Sequence, residues 1–491
     1  MKNIDDDKKP IHIVGIGGIG MSAIAEVLHD RGVTVRGSDL KDGANVRRLA
    51  AKGIPVIIGH APANIEGASE VVLSSAVKAD NPEVIAARAA GLPVFSRAES
   101  LASLMAEMHS VCVTGSHGKT TTTSMVAWIF EKAGLDPTVI TGGIINSWGT
   151  NARIGHGHWM VVEADESDAT FIKLPTTIGV VTNIDPEHLD YYKSLDALHD
   201  AFRAFFAQIQ PGGLAVAGID HPVVRQMIEA NPYTDGRRLL TYGKAVDADL
   251  RLLDMRSHGG TLYFDAALSD RVKGGARRLT DIKLLLPGHY NALNALAAMA
   301  VAAEAGIDER TVIDALASFE GVKRRFTRTG VWNGIAIYDD YAHHPAEIAA
   351  VLKAARGATS GKVIAVVQPH RYTRLKSLFE EFCTCFNDAD AVIAAEVYAA
   401  GEERIAGVDR DALIQGLRAH GHRNVVALDD PKNLAGLVKG LAKSGDLVVC
   451  LGAGSITTWA NALPAELDRL AGGGAGATTK PTILRRTGAG A

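Results

Sequence analysis

Short apolar runs of four to six residues alternate with amphipathic stretches along most of the chain. Runs of that length, ended by glycine and followed by a helical period, predict buried strands of parallel sheets with helices on both faces. From position 11, "IHIVGIGGIGMSAIAEVLHDRG" reads as a strand, a glycine turn and a helix ending near Gly32, with "VTVRGSD" and "EVVLSSAV" as later strands. A second unit begins near His109, with a strand at 111–114 and a helix from about Lys119. It continues with the strands "WMVVEAD" and "TIGVVTNID" and closes on an alanine-rich helix from about Asn291. A third follows "GVKRRF" at 321–326 and holds "IAIYDDYAHHP", "KVIAVVQPHRYTR", "DAVIAAEVY" and "DLVVCLGAGS". The pattern predicts an α/β protein of three domains, 1–108, 109–322 and 323–470, each a mostly parallel, doubly wound sheet. Residues 471–491 are glycine-rich and aperiodic and are expected to form a flexible tail.

Bulk properties narrow the class. A chain of 491 residues is too long for one core. Its formal charge of -4 leaves no global basic field for nucleic acid or anionic membrane. No run reaches the roughly 18 apolar residues of a membrane helix, and "MKNIDDDKKP" lacks a signal-like apolar region. The four cysteines are too few for a disulfide framework, and Cys112 and Cys450 sit in apolar runs. Cys383 and Cys385 have no second pair with which to bind metal. A reduced, cytoplasmic protein is expected, monomeric or weakly dimeric.

Two glycine loops carry the first chemical signal. Gly15, Gly17 and Gly20 form G-x-G-x-x-G between strand and helix, suited to a diphosphate, with Asp39 where a ribose-binding acid would lie. A tight packing turn is the alternative. "VTGSHGKTTTTS" at 113–124 is shorter than the usual nucleotide loop, with Val113 where that loop has glycine. Its Gly115 and Gly118 free the backbone for phosphate, Lys119 can reach the β/γ oxygens and Thr120 can hold Mg2+. "EADESD" adds Glu163, Asp165, Glu166 and Asp168 at a strand end, and "TNIDPEHLDYY" adds Asn183, Asp185 and His188. A solvated acidic turn is the bland reading of the first. Three strand ends bearing GKT, Glu163 and His188 together favour a metal–triphosphate site.

The loop "GSHGKTT" resembles the compact ATP loop of the Mur ligases, the ATP-dependent amide ligases of peptidoglycan synthesis. "GIGGIGMSAIA", "SSAV", "EADESD", "NIDPEHLDYY", "YDDYAHHPAEI", "QPHRYTR" and "AGE" extend the resemblance, in order, over residues 11 to about 465. It implies Rossmann-like first and third domains and a P-loop ATPase-like middle one. Gly115, Ser116, His117, Gly118, Lys119, Thr120 and Thr121 would wrap the ATP phosphates. Asn291 and Asn294 would meet adenine, and Arg325 and Asp340 the nucleotide's phosphate and ribose. A solvated basic run and a turn-capping acid are the alternatives for that last pair. Thr120, Glu163 and His188 would serve two Mg2+ sites. Gly17, Gly18, Ser74 and Ser75 would hold the uridine diphosphate, with Asp39 a weaker candidate. Tyr341, His343, His370, Arg371 and Arg374 form a basic, aromatic cluster suited to a small amino acid. Lys119, His343, Arg371 and Arg374 are the candidate catalytic groups, His343 orienting or deprotonating the amine, and His344 is expected to be structural. "PGHYNALNA" departs from the family by placing His289 and Tyr290 where Arg and His are expected, and "GAGSIT" lacks the more common aspartate.

The implied reaction uses ATP and Mg2+ to join L-alanine to the lactyl carboxylate of UDP-N-acetylmuramate through an acyl phosphate. Three alternatives stand beside it: addition of a preformed tripeptide to the same sugar, an NAD-dependent dehydrogenase using the first loop, and a nucleotide-switch protein using the second. Sister ligases carry a carbamylated lysine on the helix after the metal-binding histidine. Residues 195–210 contain no lysine here, so the metal is expected to rely on Glu163, His188, phosphate and water.

Overall fold

The computed structural model describes residues 9–472 except 75, 107, 168, 231–235 and 259. The expected tail therefore lies, from residue 473, outside the described residues. The chain divides into two compact units, the second starting at Phe326.

The first unit contains two sheets. Strands β1 (Ile11–Val14), β2 (Val35–Asp39), β3 (Val56–Ile58), β4 (Glu70–Leu73) and β5 (Val94–Ser96) pair in the order β3-β2-β1-β4-β5. Every pairing is parallel. The strand order reverses at β1, so the loop after it opens at the crevice where such sheets bind ligands.

The second sheet has ten strands: β6 (His109–Thr114), β7 (Thr138–Ile145), β8 (Thr150–Arg153), β9 (Trp159–Glu163), β10 (Thr176–Val181), β11 (Ile209–Gly218), β12 (Arg238–Gly243), β13 (Leu250–His258), β14 (Thr261–Leu268) and β15 (Arg277–Leu284). Their order is β15-β14-β13-β12-β11-β10-β6-β9-β7-β8. The centre is parallel, while β13–β14–β15 and β7–β8 are antiparallel. The helices Lys119–Lys132 and His289–Glu304 bury Met125, Phe130, Leu296 and Val301 in one core. The opposite face packs Phe171, Phe202 and Phe205, and that core runs on without a break to Ile13, Met21 and Ile24 of the first sheet. Between the two sheets, the fully buried Asn151 donates to the Ile19 and Thr141 carbonyls and accepts from Arg48 at 3.0 Å.

The second unit has β16 (Thr327–Trp332), β17 (Ile335–Asp340), β18 (Val363–Val367), β19 (Ala391–Ala395), β20 (Val425–Leu428) and β21 (Leu447–Leu451), in the order β16-β17-β21-β18-β19-β20. Only β16 runs antiparallel to its neighbour. "VIAVV", "AVIAA" and "LVVCL" are buried throughout, as central strands covered on both faces require. The architecture is three-sheet α/β and mostly parallel. All four cysteines are buried and unpaired. Among the described residues no helix is long and apolar enough to cross a membrane.

Candidate active site

The short loop 115–118 is pressed between two neighbours, and that explains its glycines. At Gly115 (φ +128°) a Cβ would stand 2.1 Å from Thr182 Oγ1, and at Gly118 (φ +84°) one would stand 2.7 Å from Asn294 Oδ1. Both torsions also favour glycine. The end of β10 stitches the loop in place. Asn183 Oδ1 accepts from the His117 amide at 2.8 Å, its Nδ2 donates to the His117 carbonyl, and Ser116 Oγ accepts from the Asp185 amide. Asn291 donates to the Pro287 carbonyl and accepts from Asn294, so these two buried amides form one short chain leading to the loop.

Lys119 curls back to donate to the carbonyls of Gly115 and Ser116 and ion-pairs with Glu166 at 2.8 Å. Burial acts to lower its pKa, but the carboxylates of Glu166, Asp165 and Glu163 outweigh it and hold the ammonium above its usual range. Thr120 Oγ1 donates to Glu163 at 3.0 Å, and Thr141 and the Gly142 amide fill the other carboxylate oxygen. Thr121 is buried in the same first helical turn.

His188, expected beside Glu163, instead faces Glu166, with Nε2 3.5 Å from Oε1. Glu166, Glu187 and His188 bring donor atoms within 4.8 Å of one another. Glu166 is 1% exposed, and its Oε2 is buried without a hydrogen-bond partner. Burial opposes charging of His188, but Glu166 and Glu187 raise its pKa overall. Thr120, Glu163 and His188 thus divide into two groups: Thr120 with Glu163, and His188 with Glu166 and Glu187. Asp185 lies between His117 Nε2 at 2.9 Å and His221 Nε2 at 3.2 Å, and hydrogen bonds from these two hold its carboxyl well below the usual range. The longer helix that follows His188, Leu195–Gln208, has no lysine, and its Arg203 pairs with Asp200.

At the first loop, Asp39 Oδ2 accepts from the Gly17 amide at 2.9 Å. That carboxylate occupies an amide expected to face a diphosphate, and its Oδ1 accepts from the Lys41 amide at 3.1 Å. Gly18 is exposed, and Ser74 lies against Gly15, 3.0 Å from where a Cβ would sit. Ser75 and Asp168 lie outside the described residues. Arg325 is half-buried at the end of this unit, its amide bonded to the Val322 carbonyl.

In the second unit, four rings form a chain. Tyr341 meets His343 edge-on at 5.1 Å, His343 meets His370 at 5.5 Å, and His370 stacks on Tyr398 at 5.7 Å and 11°. Arg374 Nη1 lies 3.2 Å from His370 Nδ1. Arg371 adopts φ +70° and donates its amide to the Tyr398 carbonyl. His344 caps the helix Pro345–Ala358 by accepting from the Ala346 amide. Asp340 is 3% exposed and accepts from the amides of Phe326 and Ala342, both at 2.7 Å. These bonds hold the backbone just before β16 and just after β17. Burial, aided by Arg374, pushes His343 down to about 3 against the pull of Glu347. Of the two parts expected of His343, orienting or deprotonating an amine, a pKa held this low suits the first, because the ring is neutral and a weak base. Its Nδ1 faces the Tyr341 carbonyl at 2.9 Å, which places the hydrogen on Nδ1 and the lone pair on Nε2.

Residues 10–109 match the catalytic domain of the Mur ligase family, 113–302 the Mur ligase middle domain, and 324–454 the Mur ligase glutamate ligase domain. A UDP-N-acetylmuramate–L-alanine ligase of Rhodopseudomonas palustris is 61% identical over 461 residues, covering 94% of this chain and 98% of the relative. The chain belongs to the Mur ligase family. A ligase of the same name from Nitrobacter hamburgensis is 60% identical with the same coverage. Among solved structures, a UDP-N-acetylmuramate–alanine ligase of Thermotoga maritima aligns with TM-score 0.78 and 28% identity, over 94% of this chain and all of that one. A murein peptide ligase of Psychrobacter arcticus aligns with TM-score 0.66 over 94% of this chain and 98% of that one; at 21% identity this is a likeness of fold.

Within this Mur ligase, sequence reasoning passed over Glu187, His221 and Arg97 and left Glu166 undistinguished among four acids. "PEH" at 186–188 and "DHP" at 220–222, each in the loop that follows a strand, were the available signals for Glu187 and His221.

Proposed function

We propose that this Mur ligase joins L-alanine to the lactyl carboxylate of UDP-N-acetylmuramate, converting ATP to ADP and phosphate. The observation that carries the reading is the 61% identity over 94% of the chain to a ligase of that name. The carboxylate attacks the γ-phosphorus of ATP and ADP leaves; the alanine amine then attacks the acyl carbon and phosphate leaves. Lys119, positioned by the loop carbonyls, is assigned the β/γ oxygens, where its charge offsets the charge that develops in transfer.

Glu166, Glu187 and His188 fit a divalent cation: two hard carboxylates and an imidazole converge, and one buried oxygen lacks a partner. Thr120 and Glu163 are assigned a second Mg2+. When bound, Mg2+ neutralises phosphate charge. The amino acid is assigned to the second unit. Arg371 and Arg374 clamp its carboxylate, and His343 Nε2 accepts an N–H from its amine and so orients the nitrogen lone pair. With a pKa near 3, His343 positions the amine and leaves its deprotonation to bulk solvent.

Mass spectrometry of products from UDP-N-acetylmuramate, ATP, Mg2+ and L-alanine tests the reading. The expected product is the sugar nucleotide plus one alanyl residue. Product formed only with a preformed tripeptide, or with none of the amino acids, would overturn it.

A further inference from the structure

Arg97 begins the helix Arg97–Met105, whose start is already closed by a capping box between Ser96 and Glu99. Its side chain is only 20% exposed, yet among the described residues its guanidinium makes no hydrogen bond, and its Nε is buried without a partner. Its sole ionic contact among the described residues is loose, Nη2 to Asp165 Oδ2 at 3.6 Å. A guanidinium carries five N–H donors in a rigid fork and is seldom buried without oxygen acceptors.

Its surroundings indicate what acceptor it serves. A Cβ on Gly20 would lie 3.3 Å from Arg97 Nη1 and 3.4 Å from Cδ, so the fork lies against the start of the helix Ile19–Asp30, directly after the first glycine loop. That helix end is itself electropositive, a poor neighbour for a loosely paired cation unless an anion joins them. On its other side Arg97 faces Asp165, whose chain neighbour Glu166 pairs with Lys119 of the second glycine loop at 2.8 Å. Arg97 therefore stands between the loop assigned to the sugar nucleotide and the lysine assigned to the γ-phosphate, within one compact unit.

We propose that Arg97 is a substrate-binding residue that grips an oxyanion of the sugar nucleotide. This rests on the sugar-nucleotide reading above. Two oxyanions of that substrate share the required chemistry, the diphosphate and the lactyl carboxylate. Both accept a two-pronged contact that lysine reproduces poorly.

Isothermal titration of wild type, Arg97→Ala and Arg97→Lys with UDP, UDP-N-acetylglucosamine, UDP-N-acetylmuramate and ATP tests it. Arg97→Ala is expected to bind UDP-N-acetylmuramate about 10- to 100-fold more weakly, with ATP affinity unchanged and no fall in melting temperature. Arg97→Lys should fall between the two and carries the comparison if the alanine variant does not fold. Equal weakening for all three uridine ligands assigns the diphosphate. Weakening confined to UDP-N-acetylmuramate assigns the lactyl carboxylate, which the other two lack. Unchanged UDP-N-acetylmuramate affinity, or an equal loss for ATP, overturns the inference. A wild type that binds no UDP-N-acetylmuramate would instead overturn the functional reading, and the inference with it.

Discussion

Lys119 and Glu166 form an ion pair at 2.8 Å in which the carboxylate is 1% exposed and the lysine side chain 14%. The lysine proposed to meet ATP is therefore also the counter-ion of a buried acid.

Lys119→Ala should abolish turnover and also lower stability by about 3 kcal/mol, because it leaves Glu166 buried without its cation. Adding Glu166→Gln should restore much of the stability and none of the activity. Chemical denaturation beside an ATP-turnover assay reads both. A single variant as stable as wild type would show that the pair contributes nothing to the fold.

Arg371 combines the proposed carboxylate contact with a backbone torsion that L-residues avoid. Arg371→Lys should raise KM for L-alanine about 10- to 100-fold and leave UDP-sugar affinity alone. Arg371→Gly should likewise lose alanine affinity but gain up to about 1 kcal/mol of stability from relief at φ +70°. A glycine variant clearly less stable than wild type would refute the strain argument.

Acid should act through Glu83. Its fully buried carboxylate accepts from Ser38 and Asn64 and faces His12 at 3.1 Å, and these groups outweigh burial to hold its pKa at about 2, below the ordinary 4.5. A depressed folded-state pKa gives stability that is complete above the unfolded value and lost as pH falls through the folded one. Glu83 should therefore contribute up to about 3 kcal/mol above pH 4.5, fading toward pH 2. Denaturation of wild type and Glu83→Gln across that window should show their difference shrinking as pH falls. A constant difference would mean Glu83 acts without its charge.

Activity should not respond to bicarbonate. Leu195–Gln208 offers no lysine to carbamylate, and Arg203 stays protonated. Degassed enzyme at slightly acid pH, assayed with and without added bicarbonate, should turn over equally. Reversible activation would place a modified lysine elsewhere in the metal site.

The strands and loops that bear the site were legible because burial writes itself plainly: "VIAVV" and "LVVCL" are covered on both faces and read as unbroken apolar runs. The meander β13–β15 was not, since strands with one exposed face and charges such as Arg256 and Asp281 leave no such run. The tight glycine turn of GSHGKT was legible because glycine torsions are local requirements. Choosing among Glu163, Asp165 and Glu166 was not, because the turn after β9 decides which carboxylate meets His188. The state of His343 depends on burial, and Asp39's capture of the Gly17 amide depends on how β2 lies beside β1. Arg97 in "SRAES" looks like an ordinary solvated residue until the second sheet closes over it.

Asn151 and the unbroken core beneath it have a further consequence. Two ligand loops carried by one compact unit over a continuous core act like the jaws of a caliper set at one opening. Reciprocal coupling of ATP and sugar nucleotide would then arise chiefly where the two ligands touch, and rejection of a sugar nucleotide with too short an acyl arm would be a matter of reach rather than of affinity.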